Sequence, residues 1–312
     1  METKIIHCDF CGTALTVEKN IYQTTCSFCG RHVSYKPYIP RDTSENYSDE
    51  NSALAISPPV DEGRQTYIIG LGFYLFMMLF GVLIVLIVVG GIAIATGRVE
   101  IPAGASSQEI TDLLMATPFV NAYTNLFYAL IVTIGLVFLF RRSLIFELKD
   151  FFKRHNLLYY LTVAAALYVL YLLLNAVYNH FVLDGTTADN QQALEEIFSA
   201  GYVIPFFIFV VILAPILEEI VFRKILFHFI PHDILAIFIS AFLFGMLHVV
   251  MTWDIIHVFP YLLMGIIFGF IYVHFKKNIY AAIFLHAINN GIAFFALWLF
   301  VNNPDLVSFI TR

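Results

Sequence analysis

Glu218, Glu219 and Arg223 place three ionisable groups within six residues, inside an apolar run from Tyr202 to Ile230. That run is long enough to cross a bilayer. A charge near the bilayer centre costs between about 2.5 and 17 kcal/mol, depending on how it is measured. The group therefore needs a reason, and no other apolar span carries an acidic residue in its interior. On a helix Glu219 and Arg223 are i,i+4 neighbours and can pair. Glu218 points about 100° away and has no such partner within its own helix. One carboxylate is thus held ionised, and the other is left for chemistry. The blander reading is a buried ion pair that only locks the bundle together.

Other polar residues in the later spans can join this group. Phe244 and His248 stand i,i+4 apart, as do His286 and Asn290. Singly, a His or an Asn in an apolar helix is ordinary interhelical glue. Together, two carboxylates, an Arg, two His and an Asn make a near-complete hydrolytic set. A carboxylate with a His can deprotonate water, and a His with an Asn can stabilise an oxyanion. Pro215 removes a backbone hydrogen bond just before Glu218 and allows a kink there. No Ser or Cys stands near these motifs as a nucleophile; Ser240 lies two turns from His248 within a helix.

The elements that must position these residues are membrane spans. The 312-residue chain is 60% hydrophobic and 13% charged, with a mean hydropathy of +0.80. An ordinary soluble domain is excluded, and an all-α polytopic membrane protein is expected. Nothing suggests nucleic-acid binding, since no basic patch is interleaved with aromatics. Seven spans are expected, at about 67–95, 118–140, 157–181, 202–228, 234–250, 257–275 and 279–301. Gly265-x-x-x-Gly269 is a close-packing pattern for two such helices. Lys and Arg crowd the 141–156 loop and the stretches at Arg223–Lys224 and Lys276–Lys277, while acidic residues crowd 97–117 and 182–201. By the positive-inside rule the N-terminus is cytosolic and the C-terminus outside, as expected of a multi-pass protein of the cell membrane. No internal repeat supports a transporter built on inverted halves. Counting about 1.5 Å per residue sets Glu218 about 15 Å deep, His286 about 10 Å and His248 about 22 Å. Tilted spans or shifted boundaries are needed to bring the three together.

The N-terminus is of another kind. Cys8-x-x-Cys11 and Cys26-x-x-Cys29 are separated by fourteen residues, and each pair is followed by Gly. Two such knuckles can present four thiolates to Zn²⁺, so residues 1–36 resemble a zinc ribbon held by structural zinc. A thiolate site also fits a reducing compartment. Two disulfides are the alternative. Residues 37–66, rich in Pro, Ser, Asn and Asp, read as a disordered linker. The transmembrane domain then runs over 67–301, with a short tail at 302–312.

Glu218-Glu219-x-x-x-Arg223, Phe244-x-x-x-His248 and His286-x-x-x-Asn290, in that order, resemble the CPBP family of intramembrane endopeptidases. That family includes the eukaryotic CAAX prenyl proteases and bacterial proteins tied to bacteriocin maturation or immunity. The resemblance covers about residues 200–301, and the ribbon looks like an appended module. It implies that Glu218 is the catalytic glutamate and His248 its partner on the water. It implies further that His286 and Asn290 form the oxyanion site, with Glu219, Arg223 and Phe244 in support. The expectation is an intramembrane glutamic endopeptidase that needs no catalytic cofactor and cleaves a membrane-associated protein or peptide. Two rivals stand beside it. One is a metalloprotease holding zinc on Glu218, His248 and His286; the other is a non-catalytic membrane protein for bacteriocin immunity or partner binding, docking through the ribbon.

Overall fold

The computed structural model describes residues 3–7, 14–18, 23–26, 32–34, 62–183, 189–250 and 253–302. Two antiparallel hairpins come first. β1 (Thr3–His7) pairs with β2 (Ala14–Glu18), in the register Thr3↔Glu18 to His7↔Ala14. β3 (Gln23–Thr25) pairs with β4 (His32–Ser34), Thr25 facing His32. Leu15 and Val17 point inward while Thr16 and Glu18 face out, the alternation a half-buried strand requires. With Cys26 and Val33 they form a small core. Cys8, Cys11 and Cys29 lie outside the described residues, as do the linker up to residue 61 and the tail from 303. In the sequence Cys8 and Cys11 fall between β1 and β2, and Cys29 between β3 and β4.

The rest is helical. α1 (Arg64–Ala95), α3 (Pro118–Leu139), α5 (Leu157–Leu183) and α7 (Val203–Phe229) are each long and apolar enough to cross a membrane. So are Ile255–His274, a 3₁₀ turn running into α9 (Val258–His274), and α10 (Ile279–Asn302) over its first 21 residues. The remaining expected span is α8 (Asp233–Val249), which at 17 residues is shorter than these six. Its length is about 25 Å. All seven expected segments are therefore helices, within a few residues of their foreseen bounds. The linker, expected to reach residue 66, ends sooner, because Arg64, Gln65 and Thr66 already form the first turn of α1.

Three connecting helices were not foreseen. α2 (Ser107–Met115) starts on a capping box, with the Glu109 N–H donating to Ser106 Oγ and the Ser106 N–H donating to Glu109 Oε2. α4 (Arg141–Arg154) buries Leu144 and Phe151 and leaves Ile145, Leu148 and Phe152 exposed. α6 (Asp189–Ser199) packs Ile197 and Phe198 against Phe206.

Two packing features set the register of the later helices. A Cβ on Gly265 would stand 2.8 Å from Ala241 Cα, and one on Gly269 would stand 3.2 Å from Ile237 Cγ1. Only glycine lets α8 and α9 approach this closely. At the basic end, Glu147 of α4 takes a bond from Ile279 N–H (2.9 Å) and pairs with Lys224 of α7. Its own carbonyl accepts from Asn278 Nδ2 at 2.8 Å. Glu147 thereby occupies the N-terminus of α10, where backbone N–H groups lack helical partners, and ties that helix to α7. The tie lies next to Arg223 and seven residues before His286.

Candidate active site

α7 is not a uniform α-helix. Its turns widen to the i,i−5 pattern over Ile208–Leu213 and again over Ile220–Ile225. Between them lies a short α-helical stretch, Ala214–Glu219, with Pro215 at its start and both glutamates at its end. Wide turns of this kind frequently mark functional sites.

The foreseen i,i+4 pair forms. Arg223 Nε lies 3.1 Å from Glu219 Oε2, and Nη1 donates to Oε1 at 3.2 Å. Both side chains are fully buried. Arg223 Nη2 donates to the Gly265 carbonyl at 2.9 Å, and its guanidinium lies 5.1 Å from the Phe244 ring centroid. So the charge in the middle of the bundle meets an opposite charge, a carbonyl and ring faces, as a desolvated ion requires.

His286 bridges the two carboxylates. Its Nδ1 is 2.8 Å from Glu219 Oε1, and its Nε2 is 3.8 Å from Glu218 Oε2. Since an ionised carboxylate only accepts, Nδ1 carries the proton. Nε2 then faces Glu218 as a lone pair in the neutral ring and as a donor in the imidazolium. Phe268 stacks on the ring with centroids 4.4 Å apart.

Glu218 differs from its neighbour. Its side chain is 20% exposed, and its Oε2 has no hydrogen-bond partner among the described residues. On α8, His248 Nδ1 bonds the Phe244 carbonyl at 2.8 Å. A carbonyl can only accept, so Nδ1 holds the proton and Nε2 is left as a base. Tyr261 stacks on this ring at 4.4 Å. The Phe244 side chain joins the two imidazoles, with centroid separations of 4.6 Å to His248 and 5.9 Å to His286. Two histidines that the depth count set apart thus flank one phenyl ring, and His286 is the one of the two that also faces Glu218.

Asn290 is engaged elsewhere. Its Nδ2 donates to the Val210 carbonyl at 2.8 Å, and its Oδ1 accepts from Asn289 Nδ2 at 3.0 Å. Ser240 is fully buried and its hydroxyl has no partner among the described residues. Three further histidines lie near span ends and take partners there: His228 stacks on Tyr67, His257 pairs with Asp254, and His274 meets the Tyr159 hydroxyl.

Tyr261 and Phe268 are site residues that the motifs did not single out, and Gly265, foreseen only as a packing glycine, lends its carbonyl to Arg223. Their i, i+4, i+7 spacing is one face of a helix, so periodicity within α9 could have found them. Two cavities lie away from the cluster. One of about 560 Å³ is lined by Tyr123, Leu126, Tyr202, Pro205 and Ile208, and one of about 390 Å³ by Pro102, Glu109 and Leu113. Among the described residues, no three His, Cys, Asp or Glu side chains are grouped to hold one metal ion.

Residues 193–292, which hold every member of the cluster, match the family model described as type II CAAX prenyl endopeptidase Rce1-like. An uncharacterised protein of Mycoplasma capricolum is 28% identical over 190 residues, 55% of this chain and 56% of its own length. The UPF0177 protein YbdI of Lactococcus lactis is 27% identical over 160 residues, 51% of this chain and 86% of its own. The putative membrane peptidase YdiL of Bacillus subtilis is 36% identical over 110 residues, 34% of this chain and 42% of its own. No solved structure matches. Over the stretch that carries the buried cluster, the chain is therefore similar to the Rce1-like type II CAAX prenyl endopeptidases, as its motifs led one to expect.

Proposed function

We propose that the chain is an intramembrane endopeptidase in which Glu218 and His248 activate a water for direct attack on a peptide bond. One observation carries the reading. Of the two carboxylates of the cluster, Glu219 is buried and committed to Arg223 and His286, while Glu218 is partly exposed with an oxygen that lacks a hydrogen-bond partner among the described residues. It is the group free to take a proton. The similarity of residues 193–292 to a peptidase family supports the same reaction class.

Charge balance assigns the remaining roles. Glu219 with Arg223 is neutral as a pair, and so is Glu218 with a protonated His286. A water set between Glu218 and His248 Nε2 gives one proton to the carboxylate as its oxygen attacks the carbonyl carbon. The proton on His286 Nε2 faces the oxygen that becomes negative, in the manner of an oxyanion donor. When the C–N bond breaks, Glu218 returns its proton to the departing amine, so acid and base are one group used twice. The substrate is a membrane-associated protein or peptide, because the cluster lies within the spans.

The same reading includes structural zinc on Cys8, Cys11, Cys26 and Cys29, a ribbon available to a protein partner, and a cytosolic N-terminus with the C-terminus outside. The burial of Cys26 and the two hairpins fit such a ribbon. Chelation separates this proposal from a metallopeptidase. Treating the purified full-length protein with a strong chelator should release one zinc per chain and leave cleavage of membrane proteins, read as new N-termini, unchanged. Cleavage lost on chelation and restored by added zinc, in a variant whose four cysteines are replaced by serine as well as in the wild type, would make Glu218 a ligand and overturn the proposal.

A further inference from the structure

We infer that Asn290 serves the reaction as a positioning residue, by supplying the hydrogen bond that Pro215 withholds from the backbone of α7. The inference rests on the peptidase reading for its kinetic consequence, and its structural half stands without it. In the wide turn before Pro215 the Ala214 N–H reaches back five residues, to the Phe209 carbonyl. The next bond in that pattern would run from residue 215 to Val210. Proline has no N–H, so the Val210 carbonyl loses its helical donor. An unsatisfied carbonyl inside a membrane bundle needs a substitute from a neighbouring helix. Asn290 is that substitute, its Nδ2 lying 2.8 Å from the Val210 oxygen across 80 residues of sequence.

The contact is held in place from its own side. Asn289 Nδ2 donates to Asn290 Oδ1 at 3.0 Å, which turns the Asn290 nitrogen toward α7. The break that Asn290 bridges opens the short turn Ala214–Glu219, and Glu218 follows Pro215 by three residues. His286 stands one helical turn before Asn290 on α10 and grips Glu219 at the other end of the same turn. Asn290 and His286 therefore fasten the glutamate-bearing turn at both ends. Pro215 frees the turn from the helix, and α10 sets its direction.

A double-mutant cycle tests this. Asn290→Ala should lower turnover on the order of 10²-fold, the cost of misplacing a reacting group by about 1 Å. Pro215→Ala restores a backbone N–H able to reach Val210. Added to Asn290→Ala, it should recover most of the lost turnover. The thermal midpoint of the purified protein should follow the same pattern, falling in the single Asn290→Ala variant and recovering in the double. A double variant as slow as Asn290→Ala, with losses that simply add, would place Asn290 on the reacting atoms and overturn the inference. If the wild type cleaves nothing, the peptidase reading fails, and recovery or addition in the thermal midpoints still decides the structural half.

Discussion

The first three spans and the last four helices of this bundle are built from similar residues but use their interiors differently. In α1, α3 and α5, Thr124 and Thr133 are the polar side chains classed as buried among the described residues. Neither hydroxyl has a hydrogen-bond partner there. α5 buries only 11% of its apolar window. From α7 onward the interior instead holds Glu219, Arg223 and His286, each with a polar partner. Ile255–His274 buries 50% of its window, and its Tyr261, Gly265 and Phe268 touch the polar cluster directly. An isolated hydroxyl costs far less than a charge, and a charge at membrane depth must be matched from several helices at once. The first half is a frame, and the second is organised by its charges.

That contrast breaks most visibly at Arg223. Arg223→Ala strands a fully buried Glu219 and should cost about 3–5 kcal/mol. Thr133→Val in the frame removes a buried hydroxyl without a partner and should leave stability unchanged or raise it, by up to about 1–3 kcal/mol. Denaturant titrations of the two purified variants make the comparison, and equal losses would remove the distinction between the halves.

Close packing sharpens the contrast on a smaller scale. A Cβ on Gly265 meets the backbone of Ala241 at 2.8 Å, whereas one on Gly135 meets the edge of the Phe73 ring at 2.5 Å. A partly exposed ring can swing aside, and a helix backbone cannot. Gly265→Ala should therefore cost about 1–3 kcal/mol, and it should also disturb the carbonyl that Arg223 holds. Gly135→Ala should cost less. Thermal unfolding of both variants tests the order, and a reversed order would contradict it.

Much of the second half is legible in the sequence because helical spacing is a local rule. The Glu219–Arg223 pair, the Gly265–Gly269 seam and the shared face of Phe244 and His248 all follow from i,i+4 neighbours. What crosses between helices is harder to read. The depth count treats every span as a straight rod from a common boundary, so it set His248 about 7 Å from Glu218 along the membrane normal. A phenyl ring one turn before His248 lies beside both imidazoles, and no count of residues includes it. Glu147 lies in the loop from which only the Lys and Arg residues carried a signal, yet it caps α10 from 132 residues away. Asn290 was grouped with His286 by spacing, while its contact with Val210 depends on a change of hydrogen-bond register that Pro215 only hints at. The frame was legible as apolar runs and nothing finer, since a helix facing lipid needs only to be apolar.

The claim on which the account turns is that Glu218 takes a proton from water during peptide-bond hydrolysis. Glu218→Gln keeps the size and hydrogen-bonding reach of the side chain but cannot accept that proton. The most direct measurement compares new protein N-termini in membranes of cells that make the wild type with those that make Glu218→Gln at the same level. The account predicts a set of membrane-associated cleavage products present with the wild type and absent with the variant, while both proteins show the same thermal midpoint. The same products at the same abundance from both would contradict it.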